Sequence, residues 1–222
     1  MDFSSKQGGY SKMKSIVYDH FATSSSLRLG IDCVQRLDLG DRKATILDVG
    51  CGGGQLIKWI LENHPNVSCV GVEPSDYLIN RARQRCADYG SRVEFVQSTV
   101  DEMLLAGKFD IVISIGSIKH WPNPVSGLRE CVEKLKPGGK LRVVELSREF
   151  SAKEFARLFR LPLRLSPLLN LFRPFWQYGM RKNYKLEEYA RMAQSLALSD
   201  TQVRHASRYP ASEIYGQTQV EP

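Results

Sequence analysis

The residues of this chain best placed to do chemistry are two acids on either side of a glycine-dense turn. Asp48 lies near the end of an apolar run that starts at Ala44. The turn Gly50-Cys51-Gly52-Gly53-Gly54 follows, and a helix-forming segment runs from Gln55 to Asn63. Glycine permits positive φ and lets a ligand approach the main chain without a Cβ in the way. Glu73 closes the next apolar run, Val67 to Val72. A carboxylate at the tip of the second strand of such a strand–turn–helix–strand unit can accept hydrogen bonds from both ribose hydroxyls of a nucleoside.

Two cofactor classes use this layout. A dinucleotide site wants G-x-G-x-x-G, with the pyrophosphate at the helix N-terminus. Here Gly50, Gly52 and Gly54 give G-x-G-x-G, and Gln55 stands where the third dinucleotide glycine would fall. The turn contains no Lys or Arg. Asp48 before the turn and Glu73 after the second run suit a nucleoside carrying a cationic sulfonium and an amino group better than one carrying two phosphates.

The stretch LDVGCGGG, Leu47 to Gly54, resembles the first motif of the class I S-adenosylmethionine-dependent methyltransferases. Glu73-Pro74-Ser75 resembles that family's ribose-binding acid. Phe109 to Ser114 resembles its fourth strand, and Leu135-Lys136-Pro137-Gly138-Gly139-Lys140-Leu141 the turn before its fifth. The motifs stand in family order from about Ala44 to Glu145. They are most similar to the small-molecule branch that includes the quinone-biosynthesis enzymes. The segment from Leu146 to Asn183 is hardly covered.

The resemblance implies S-adenosylmethionine as cofactor, S-adenosylhomocysteine as product, and a Rossmann-like α/β fold. Its sheet would have seven mostly parallel strands in the order 3-2-1-4-5-7-6, with helices on both faces and a helical cap after strand five. It also implies the cofactor residues: Tyr18, Asp48, Gly50, Cys51, Gly52, Gly54, Glu73, Pro74, Thr99, Val100, Ser114 and Ile115. Glu73 would take the ribose hydroxyls. Asp48 would order the turn and face the methionine end, and Tyr18 would touch the carboxylate there. The chain departs from the family after strand three. Relatives read Gly-Asp-Ala, with the Asp on the adenine amino group, whereas this chain reads Ser98-Thr99-Val100.

Methyl transfer from a sulfonium is an in-line displacement, so the protein mainly holds donor and acceptor in line. A base is needed only to take a proton from the acceptor. His120, after the fourth strand, and His20, in the N-terminal helix, are the candidates. Ile118 and Trp121 are candidate walls of the acceptor pocket, with core packing an equal reading for Trp121. Lys119 reads as solvated. The acceptor implied by the resemblance is small and apolar or aromatic, methylated on oxygen or carbon.

The elements that must position these residues are legible in the hydrophobic pattern. Helices are expected over Ile16–Leu39, Gln55–Asn63, Ser75 or Asp76 to Tyr89, Pro124–Leu135 and Leu186–Leu196. Strands are expected over Ala44–Val49, Val67–Val72, Val93–Val96, Ile111–Ile115 and Leu141–Leu146, with an antiparallel edge pair over Thr201–Ala206 and Glu213–Thr218. The single domain spans 1–222: an N-terminal arm and helix over 1–40, a cofactor-binding core over 44–146, a cap over 147–183, and the last helix and edge strands over 184–222.

The cap interleaves Arg157, Arg160, Arg164 and Arg173 with Leu and Phe, and its prolines break it into short pieces. Phe172, Phe175 and Trp176 are its candidate acceptor contacts. It reads as a lid, as a peripheral membrane contact through 157–176, or as a packed insertion.

At 222 residues one domain is the default. Five scattered cysteines with no C-x-x-C pair indicate neither a zinc site nor a disulfide framework. No metal is expected. The first fifteen residues lack an apolar signal core, so the cytoplasm is the expected compartment. The net charge of +7 prompts one rival, a nucleic-acid methyltransferase. Nucleic acid is not the expected partner, because no RNA-binding module and no Asn/Asp-Pro-Pro-Tyr motif is present. A second rival is a cofactor-binding protein of the same fold that transfers no methyl group.

Overall fold

A strand buried on both faces must be apolar along its whole length, and that is how the central runs of this chain read. The computed structural model describes residues 23–149, 151, 153–154, 181–206 and 209–220. In chain order the elements are α1 (Thr23–Gln35), β1 (Ala44–Val49), α2 (Gln55–Asn63), β2 (Val67–Val72), α3 (Asp76–Arg85) and β3 (Val93–Val96). They continue with β4 (Phe109–Ile115), α4 (Pro124–Glu133), β5 (Leu135–Leu146), α5 (Leu186–Ala193), β6 (Ser199–His205) and β7 (Ala211–Gln217). The seven strands form one sheet in the order β3-β2-β1-β4-β5-β7-β6. Strands β1 to β5 pair in parallel, and β7 runs antiparallel to both β5 and β6. The expected doubly wound fold and strand order are those observed.

The capping chemistry sets the helix starts. Ser75 accepts a hydrogen bond from the Leu78 N–H at α3, and Asn123 accepts from Val125 and Ser126 at α4, where Pro124 occupies the first turn. Helix α3 is shorter than expected: it stops at Arg85, and a 3-10 turn from Ala87 to Arg92 carries the chain to β3. Strand β5 is longer than expected. Phe109 pairs with Leu135 ahead of a register shift, so Pro137-Gly138-Gly139 is an irregular start of the strand, with Gly138 at φ 71°, and not a separate turn.

Alternating side chains along the strands feed two cores. Ile46, Ile113 and Val144 face α1 and α2, together with Val34, Ile57 and Ile60. Leu47, Val112 and Val143 face α4 and α5, together with Leu128, Cys131 and Tyr189.

Helix α1 is fastened to the sheet by charge. Glu213 of β7 is fully buried. Its carboxylate lies 2.8 Å from Arg36, the residue that follows α1, 3.1 Å from Arg142 of β5 and 3.4 Å from Arg204 of β6. The Arg142 guanidinium also stacks on Tyr215, 4.7 Å from the ring centre.

The chain leaves the sheet at Leu146 and returns at Asn183, whose side-chain amide donates to the Leu146 carbonyl at 2.9 Å. Most of the cap lies outside the described residues. So do its candidate contacts Phe172, Phe175 and Trp176, the 157–176 stretch, and Tyr18 and His20 of the N-terminal arm.

Replacing Glu213 with alanine leaves Arg142 buried without a counter-charge. The expected loss is about 3–5 kcal/mol in denaturant unfolding. A variant with unchanged stability would show that the arginines do not depend on it.

Candidate active site

The site is built where β1 ends. The N–H groups of Gly50 and Cys51 both donate to the Val72 carbonyl of β2, at 2.8 and 3.0 Å, so the turn is pinned to the neighbouring strand. Gly50 has φ 82°, and a Cβ there would lie 2.4 Å from the Ser117 Cβ. Gly54 has φ 76° and caps α2 with no side chain; its Cβ would meet that of Ala82 on α3 at 2.9 Å. Both positions demand glycine through backbone conformation and packing together.

Glu73 locks the same turn from the other side. Its Oε2 accepts from the Gly52 N–H at 3.1 Å and its Oε1 from the Ser75 N–H at 2.9 Å. Burial pushes its pKa up, and the two backbone hydrogen bonds oppose that shift. Asp48 is also buried. Burial first, and the Glu73 charge second, push its carboxyl up to about 7. Burial raises the Cys51 thiol well above its ordinary value, with Asp48 and Glu73 adding to the effect, so it stays protonated.

Asp48, Gly50, Gly52 and Gln55 line an open cleft of about 380 Å³, closed on one side by Ser26 and Leu27 of α1 and by Ile115 of β4. Ser117 bridges the post-β4 loop to β1: its hydroxyl donates to the Val49 carbonyl at 2.9 Å and lies 2.6 Å from the Ser114 hydroxyl.

The structure brings Asp48, Gly50, Cys51, Gly52, Glu73 and Ile115 together, with Gly54 at the helix cap beside them. Pro74 follows Glu73, and its carbonyl accepts from the Gln97 side chain at 3.4 Å. The Thr99 hydroxyl donates to Glu102 at 3.1 Å. The Val100 and Ser114 side chains are buried.

The expectations for Ile118 and Lys119 need correction, and Trp121 takes the packed one of its two readings. Ile118 is fully buried in the core beneath α4, so it walls no pocket. Trp121 packs on that core and against Gly127 of α4, where a Cβ would come within 2.6 Å of its ring. Lys119 is not a solvated lysine: its ammonium lies 2.7 Å from Glu145, which is fully buried and needs a partner. His120 is exposed on the 3-10 turn from Ile118 to His120 and does not line the cleft.

Sequence reasoning passed over Ser26, Leu27, Ser117 and Glu145. For Glu145 a signal existed: it is the single acid in the apolar run Val143-Val144-Glu145-Leu146. Ser26 and Leu27 carry no motif, and only the folded position of α1 brings them to the cleft.

Residues 46–139 match the family described as Methyltransferase domain. The chain is 31% identical over 192 residues to a ubiquinone biosynthesis O-methyltransferase of Nitrosospira multiformis, a match covering 85% of this chain and 75% of the relative. It belongs to the class I S-adenosylmethionine-dependent methyltransferases. Two solved structures share the fold. One is a SAM-dependent methyltransferase from Aquifex aeolicus, with TM-score 0.66 at 15% identity, covering 94% of this chain and 98% of that one. The other is the plantazolicin methyltransferase BamL, in complex with a substrate analogue and S-adenosylhomocysteine, with TM-score 0.64 at 15% identity, covering 94% and 95%.

The methyltransferase cleft fits its cofactor on chemical grounds. Bare main chain at Gly50 and Gly52 admits close approach, and the Asp48 carboxylate lines the cleft to meet a cationic group. Among the described residues, no helix is long and apolar enough to cross a membrane.

Asp48 gives the apo protein a defined pH dependence. Its folded value of about 7 lies above its ordinary value of 3.8. Between these values the folded state holds a proton that the unfolded state has lost, so stability falls as pH rises and levels off above about 7. The drop is at most about 4 kcal/mol. Replacing Asp48 with asparagine should flatten that part of the curve of denaturation midpoint against pH. A variant that keeps the wild-type slope would assign the titration elsewhere.

Proposed function

We propose that this methyltransferase transfers a methyl group to a hydroxyl of a small, largely apolar or aromatic acceptor. The observation that carries the reading is the pair of buried carboxylates flanking the bare turn, joined to likeness over three quarters of an O-methyltransferase of quinone biosynthesis. The bound cofactor supplies a methyl group activated by a positive sulfur. The residues then have to hold, align and exclude water.

Glu73 takes the ribose hydroxyls. Its oxygens each accept one backbone N–H and retain lone pairs for the ligand. Asp48 faces the cationic methionine end from the floor of the cleft. Thr99 takes the position next to the adenine, and its hydroxyl oxygen can accept while its hydrogen goes to Glu102. Helix α1 closes the cofactor side through Ser26 and Leu27.

Replacing Glu73 with alanine removes two ribose hydrogen bonds, each worth about 1.5–3 kcal/mol to a charged acceptor. It also frees the Gly52 N–H. Calorimetry should show affinity for S-adenosylhomocysteine falling at least about tenfold with the fold intact. Unchanged affinity would remove Glu73 from the ribose site.

His120 is the proposed proton acceptor. It lies outside the cofactor cleft, exposed on the loop after β4 at the carboxyl end of the sheet, where open α/β folds bind their ligands, so it would serve an acceptor that enters from that side. Replacing His120 with phenylalanine should lower turnover by roughly a hundredfold and leave cofactor affinity unchanged. Normal turnover in that variant would leave alignment alone as the catalytic device.

A further inference from the structure

Among the described residues, five buried side-chain atoms lack a hydrogen-bond partner. Arg142 Nε and Glu213 Oε1 belong to the ion network that holds α1. The other three are Glu145 Oε2, Tyr189 Oη and Ser212 Oγ. Glu145 of β5 and Ser212 of β7 are register partners on neighbouring antiparallel strands, so their side chains leave the same face. That face also carries Val143 and Ile214, and both belong to the core into which Tyr189 of α5 is packed. All three residues are 1% exposed or less.

A folded chain rarely leaves so many polar atoms unpaired on one face, and such a group calls for an occupant. The donor and acceptor balance describes it. Glu145 Oε1 is already taken by the Lys119 ammonium at 2.7 Å and by the Leu146 N–H at 2.9 Å. Those two bonds fix the carboxylate and leave Oε2 as an acceptor. Burial, with the Glu145 charge behind it, raises the Tyr189 phenol far above its ordinary value, so it stays protonated as a donor. The Ser212 hydroxyl can donate as well. One acceptor and two donors match a hydroxyl group, which offers one hydrogen and two lone pairs.

The position favours a ligand. Glu145 lies at the carboxyl end of β5, one strand from the cleft residue Ile115, and ligands of open α/β sheets bind at those ends. It is also at the root of the cap. The chain departs just after Glu145 and returns just before Tyr189. Across that root the ion pairs Arg148–Glu188 and Lys185–Glu149 are partly exposed, so opening them costs little.

We propose that Glu145, Tyr189 and Ser212 bind a hydroxyl of the methyl acceptor, with Glu145 Oε2 accepting its hydrogen and the other two donating to its oxygen. Lys119 is the positioning residue that fixes Glu145. The proposal rests on the reading of a hydroxylated acceptor and names the groups that select it.

The test uses phenol and catechol as probes and toluene as the hydroxyl-free comparison. Binding to the protein saturated with S-adenosylhomocysteine is followed by broadening of the probe's proton signals. Phenol and catechol should bind the wild type more tightly than toluene. Tyr189→Phe and Ser212→Ala delete hydroxyls that have no partner, so melting temperature should not fall. Each should weaken phenol binding, by about tenfold for Tyr189→Phe, with toluene and S-adenosylhomocysteine affinities unchanged. Glu145→Gln should do the same, and Lys119→Met should lose less because Glu145 itself remains. No preference for phenol over toluene in the wild type would overturn the proposal. So would unaltered phenol affinity in Tyr189→Phe and Ser212→Ala, which would mean that the three groups hold only a buried water. Phenol binding that depends on the trio, with methylation found on carbon or nitrogen, would support the trio and overturn the oxygen-acceptor reading instead.

Discussion

A carboxylate taken out of water has to be met by donors, and the cofactor half of this molecule is organised around that requirement at Glu73. Its two oxygens reach the N–H groups of Gly52 and Ser75. One of those belongs to the glycine turn, and the other to the N-cap of α3. A single side chain therefore sets the spacing between the end of β1 and the start of the helix after β2. The turn can stay largely bare because its shape is held by main-chain bonds to Val72, by this carboxylate and by the Arg85 guanidinium on the Gly53 carbonyl. Asp48, next to it, cannot ionise cheaply, first because it is buried and second because Glu73 is charged. A cationic ligand beside the two carboxylates offsets both effects, so the electrostatics of the site favour a positively charged group.

The sheet then separates two tasks. Residues of α1, β1, the glycine turn, α2 and the end of β4 surround the cofactor cleft. Residues at the carboxyl ends of β4 and β5 and on α5 hold a second polar cluster around Glu145. The strands between them are apolar and close-packed, so the relative placement of the two clusters is as rigid as the core itself. In-line transfer needs that rigidity, since a displacement of an ångström between donor and acceptor costs heavily in rate.

How much of this was legible in the sequence follows from how local each signal is. The bounds of β1, β2 and β3 and the start of α2 could be read because each is set by a short run of apolar residues and an adjacent breaker. The roles of Gly50 and Gly54 were legible as backbone freedom, but their packing against Ser117 and Ala82 was not, because those contacts join distant parts of the chain. Ile118 and Lys119 misled for the same reason, and the two readings of Trp121 could not be separated. A loop after a strand reads as exposed, yet this one folds back: Ile118 enters the core, Trp121 covers Gly127, and Lys119 turns inward to neutralise Glu145. The sequence shows an acid in an apolar strand and a lysine far from it. Only the pairing of β4 with β5 makes them neighbours.

The buried charges of the two faces also differ in kind, and the difference bears on function. On the α1 face, Glu213 is surrounded by three arginines, more positive charge than it needs, and the surplus reaches solvent through Arg36 and Arg204. That arrangement suits a fastening, since the desolvation of one carboxylate is shared among several partners. On the α5 face, Glu145 has one lysine and one backbone donor, both on the same oxygen, and its other oxygen is unpaired, as are the Tyr189 and Ser212 hydroxyls on that face. A purely structural pair would gain by closing that gap with a direct hydrogen bond. Leaving it open costs stability in the empty protein. A cost of that sort persists where the missing partner arrives with the substrate, as it does at sites built to recognise a polar group and to reject the analogue that lacks it.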